Sequence, residues 1–92
     1  MQQQSGQEID KLAQQDPSQR AQEAMLRMGH HMREQGHVND AMDMYLKLMQ
    51  DYPDTQAARA AANALVDLAQ YLEQNGMPHM ALNVYRKLEQ MQ

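Results

Sequence analysis

From Ala21 onward, apolar and small residues recur at three- and four-residue steps: Ala21, Ala24, Met25, Met28, Gly29 and Met32. That spacing places them on one face of a helix. Asp16-Pro17-Ser18-Gln19 reads as its start, with an acceptor at the N-cap, proline in the first turn and Gln completing a capping-box-like pair. Gly36 supplies a left-handed position at which it can stop. A second stripe runs Val38, Ala41, Met42, Tyr45, Leu48, Met49, Tyr52, until Pro53 forbids continuation. Asp54-Thr55 can cap a third helix, with Ala58, Ala61, Ala62, Leu65, Leu68, Ala69 and Leu72 as its buried face, and Asn75-Gly76 ends it. Pro78 opens a fourth, with Ala81, Val84, Tyr85, Leu88 and Met91 as its stripe. The pattern predicts an all-α chain of two antiparallel helical hairpins, preceded by a short helix over residues 8–15.

The chain also repeats itself. KLAQ at 11–14, KLMQ at 47–50 and KLEQ at 87–90 lie 36 and then 40 residues apart, periods typical of repeat architectures. A step of 40 superimposes Gly36 on Gly76, Ala41 on Ala81, Tyr45 on Tyr85, and Met25, Met28, Gly29 and Met32 on Leu65, Leu68, Ala69 and Leu72. Large meets large and small meets small. Tyr45 and Tyr85 are therefore expected to be mostly buried at equivalent places, with Gly29 and Ala69 letting a neighbouring helix come close.

Gly29, Gly36, Ala41, Tyr45, Leu48 and Pro53 together resemble the tetratricopeptide repeat, a helical hairpin of about 34 residues. The resemblance covers repeats at 22–55 and 62–92, with a partial preceding one at 8–17, inside a single domain over 8–92. It departs where Met25 and Met32 stand in place of the usual aromatics. It departs again in the long step, for which the run Ala57-Ala58-Arg59-Ala60-Ala61-Ala62 suggests an elongated third helix. The fold implied is a short α-solenoid of stacked hairpins. Both ends fall inside the repeat pattern, so the chain is expected to belong to a longer array or to pair with another copy of itself. The Gln-rich lead, residues 1–7, reads as disordered.

Composition narrows the chemistry. With 8 basic against 12 acidic residues and a net charge of −4, the 92-residue chain lacks the concentrated basic face of a nucleic-acid binder. It has no cysteine, hence no disulfide and no thiol nucleophile, and no apolar run of membrane-spanning length. His30 and His31 are adjacent, so about 100° apart on a helix and unable to share one ion, and no H-E-x-x-H spacing occurs. No nucleophile stands beside a plausible base, and Asp40 and Asp43 read as helix-face charges. Neither an enzyme, a metal site nor a cofactor is expected. Nothing in these residues indicates a compartment. Met44, Met77, Met80 and Met91 lie less clearly inward than the other helical methionines, and an exposed cluster of them would suit an adaptable contact surface.

The resemblance implies a protein-interaction module whose first helices line a groove for a peptide or helix of a partner. By position, that groove would hold Glu23, Leu26, Arg27, His30, Arg33 and Glu34 from the first repeat. The second would add Asn63, Val66, Asp67, Gln70, Glu73 and Gln74. Leu26 and Asp67 stand where chaperone-binding members grip a terminal carboxylate, which argues against that subclass. The rival expectation is structural self-assembly: a symmetric homodimer through Val84, Tyr85, Leu88 and Met91 on the last helix.

Overall fold

The computed structural model describes residues 16–91, which form four helices and, among those residues, no strand. They are α1 (Pro17–Glu34), α2 (Val38–Asp51), α3 (Gln56–Gln74) and α4 (Pro78–Gln90). The lead at 1–7, the helix expected over 8–15, most of the partial repeat at 8–17 and Gln92 lie outside the described residues.

Local chemistry accounts for each boundary. Asp16 Oδ1 accepts the Ser18 N–H at 3.0 Å and Pro17 opens α1. Thr55 caps α3 by accepting the Ala58 N–H at 3.1 Å, while its own hydroxyl donates to the Tyr52 carbonyl at 2.8 Å. Both supply a partner to a group that a helix end would otherwise leave unsatisfied. α1 and α3 end identically. His37 N–H reaches back to the Met32 carbonyl at 2.8 Å and Met77 N–H to that of Leu72 at 2.8 Å, around Gly36 at φ 83° and Gly76 at φ 76°. This is the Schellman closure, whose left-handed residue favours glycine. α2 stops ahead of Pro53, and Asp54, at φ 63°, turns the chain into α3.

Each helix packs on the next, and α1 also touches α3. The core is continuous across both hairpins, with Tyr45, Leu48, Leu65, Leu68, Leu72 and Val84 its largest fully buried side chains. The third-helix face is as expected except that Ala64 is buried and Ala62 only half-buried. α3, with 19 residues, is the longest described helix, and its counterpart α1 is nearly as long with 18.

Packing corrects the expected placement of Met28 and Val84 and refines that of Tyr85. Met28 is 47% exposed. Tyr85 is mostly buried as expected but keeps some exposure, whereas Tyr45 is sealed. One methyl group distinguishes the two seats. A Cβ at Gly29 would stand 2.6 Å from Tyr45 Cε1, so only glycine lets that ring lie against α1. The equivalent residue, Ala69, carries that carbon and is itself fully buried. Finally, Val84 is buried, and Met91 lines a shallow hollow with Leu46 and Gln50 of α2. The open side of α4 is instead marked by Leu82, 45% exposed, beside half-buried Tyr85.

Candidate functional site: a groove along the α1–α3 seam

Two concavities run along the seam where α1 and α3 lie side by side. The larger, about 450 Å3, is lined by His30, Arg33, Glu34, Val38, Leu68 and Tyr71, with Gly36 at its rim. The smaller, about 270 Å3, has Gln19, Gln22, Glu23 and Leu26 of α1 facing Gln56, Ala57 and Ala60 of α3. N-terminal halves therefore face each other, and C-terminal halves likewise.

The larger concavity has a fixed polar wall. The Tyr45 phenol, reaching through the space left by Gly29, shares a hydrogen bond with His30 Nδ1 across 2.6 Å, and the two rings meet at 5.6 Å with a 60° tilt. That bond gives a buried hydroxyl its partner and orients an imidazole whose body is exposed. Burial pushes the Tyr45 pKa above its ordinary value of 10.0; Arg33 opposes the shift and Glu34 adds to it. Tyr71 and Val38 supply apolar surface opposite Arg33 and Glu34. The result is a mouth with one cation, one anion, a positioned imidazole and an aromatic edge, a mixture suited to the side chains of a polypeptide.

Of the positions expected to form the groove, Glu23 and Leu26 line the smaller concavity and His30, Arg33 and Glu34 the larger. Arg27 is exposed on α1 but lines neither. Asn63, Val66, Asp67, Gln70, Glu73 and Gln74 are all exposed on α3, and none lines either concavity. α3 turns a different edge to α1, through Ala57, Ala60, Leu68 and Tyr71. Glu73 instead lies beside Tyr85, whose pKa is raised by partial burial and then by that carboxylate. Tyr71 was the side chain missed. A lone aromatic just off the buried stripe of α3 was the available signal.

Among the described residues no group of three or more His, Asp or Glu side chains gathers as a metal-binding set, and no helix is long and apolar enough to cross a membrane. Comparison with family models, curated proteins and solved structures finds no match.

Proposed function

We propose that this chain is a non-catalytic protein-interaction module, similar to a tetratricopeptide-repeat scaffold, whose α1–α3 seam receives an extended or helical segment of a partner protein. The carrying observation is that seam itself: two concavities in line, both built from the first helices of successive hairpins. The contact of α1 with α3, added to those within each hairpin, supports the solenoid-like stacking that such a scaffold requires. Seven lining residues around the larger hollow combine charge, an imidazole and an aromatic edge, as peptide recognition needs.

A displayed library of random dodecapeptides selected on the chain tests the reading. The expected result is enrichment of a shared motif whose binding is lost in Tyr71→Ala and Arg33→Ala but kept in Gln50→Ala, on the far side of the molecule. Failure to enrich any motif, or binding indifferent to Tyr71 and Arg33, would reject it. Structural self-assembly is a second reading, favoured by the exposed apolar residues Met28, Val66 and Leu82.

A further inference from the structure

The repeat supplies its own template for what covers those exposed residues. Within the chain, α3 docks on the first hairpin with Ala61, Ala64, Leu68 and Tyr71 turned toward it; the first three are buried there. Forty residues earlier, α1 presents Ala21, Ala24, Met28 and His31 in the same register, and none of these is buried. Leu68 is fully covered, while its counterpart Met28 is 47% exposed. The receiving surface behaves likewise. Met42 and Tyr45 are 7% and 0% exposed, and Leu26 is half-buried. Their counterparts Leu82 and Val66 are 45% and 37% exposed, and Tyr85 is half-buried. Among the described residues, nothing covers a docking face at α1 or a receiving face on α3–α4, two halves of a contact already made once inside the molecule.

We infer that the occupant of the α3–α4 face is α1 of a second copy, docked as α3 docks on the first hairpin, so that copies add head to tail. The same translation places Met28 and His31 of the incoming copy over Gln70, Glu73, Gln74, Gly76 and Pro78, the counterparts of residues that line the larger concavity. His31 comes opposite Glu73, where α3 sets Tyr71 near Arg33. At the other end Asp16 and Arg20 come opposite Arg59. Such a contact uses different patches on the two partners, so it does not close on itself as a two-fold pair does. The inference is independent of the peptide groove, since Met28, Val66 and Leu82 do not line it.

Sedimentation velocity and light scattering on the 92-residue chain, with Met28→Glu and Leu82→Glu variants, decide it. Both substitutions fall on exposed positions, and circular dichroism should show unchanged helix content. The wild-type mass is expected to rise with concentration and pass beyond the dimer. Each variant alone should stay monomeric, because one has lost its docking face and the other its receiving face. Mixed in equal amounts they should form a one-to-one dimer that grows no further. A wild-type chain that stays monomeric at high micromolar concentration overturns the inference, including the case in which residues 1–15 themselves cover Met28. So does a dimer that persists unchanged in Met28→Glu, the mark of two-fold pairing through α4. Should Leu82→Glu lose helix content, Val66→Glu replaces it in the same mixing experiment.

Discussion

At the scale of single residues, Gly29 decides the most. Ala has the better helix propensity by ~1 kcal/mol, so Gly29→Ala should stabilise an isolated helix. Here the added carbon would sit 2.6 Å from the Tyr45 ring, whose hydroxyl is held by His30. Overpacking of that kind costs ~1–3 kcal/mol, so the variant is expected to unfold at lower urea concentration, and an unchanged or higher midpoint would contradict the close seat. Tyr45→Ala should cost ~3 kcal/mol or more by leaving a cavity, and Tyr85→Ala less because its side chain keeps some exposure. Ionisation follows from the same burial. The folded protein holds the Tyr45 proton above pH 10.0, where the unfolded chain has begun to lose it. The native state then binds more protons, so stability falls as pH rises through and beyond that value. Tyr45→Phe should flatten this alkaline decline in urea titrations; an identical slope would show that the phenol titrates as if exposed.

At the scale of elements, helix ends obey local chemistry and were legible without tertiary information. Asp16, Thr55, Gly36 and Gly76 terminate helices where their side chains or backbone freedom allow, at both repeats alike. Gly36→Ala and Gly76→Ala should each cost ~1–2 kcal/mol, since a Cβ would meet no atom at either site and only the left-handed backbone resists it. Matching losses in urea unfolding are expected, and a negligible loss at either glycine would mean that turn can be rebuilt. Thr55→Ala should cost ~1 kcal/mol through loss of the Ala58 cap, measured the same way. What local pattern did not reveal is how each helix rolls about its axis. A stripe at helical spacing gives the centre of an apolar face but not its edges, which depend on where the neighbour lands. Met28 falls just past the edge of one stripe, and Leu46 and Ala64 just within others. The groove suffered most from this. His30, Arg33 and Glu34 line it, whereas the second-repeat positions lie outside it, because α3 meets α1 with another edge, through Leu68 and Tyr71.

At the scale of the whole molecule, stability should be close to a sum of hairpin terms and the contacts between neighbours. Duplicating residues 17–56 in place, so that a further hairpin enters in register, is expected to raise both the denaturant midpoint and the steepness of unfolding, since more surface is buried per cooperative unit. A midpoint that stays or falls would mean the hairpins do not stack as interchangeable parts. The forty-residue offset between the two helix ends at Gly36 and Gly76 has a consequence for how such a chain can change length. Insertion or loss of two residues within α3 would swing everything beyond it by about 200°, carrying Leu68 and Leu72 out into water. The same change between Asp51 and Gln56 could be taken up by the turn, outside any helix. Length variation in chains of this design should accordingly gather at that one turn or come in whole units of forty, and sequences that differ by other amounts inside α1 or α3 should fail to fold.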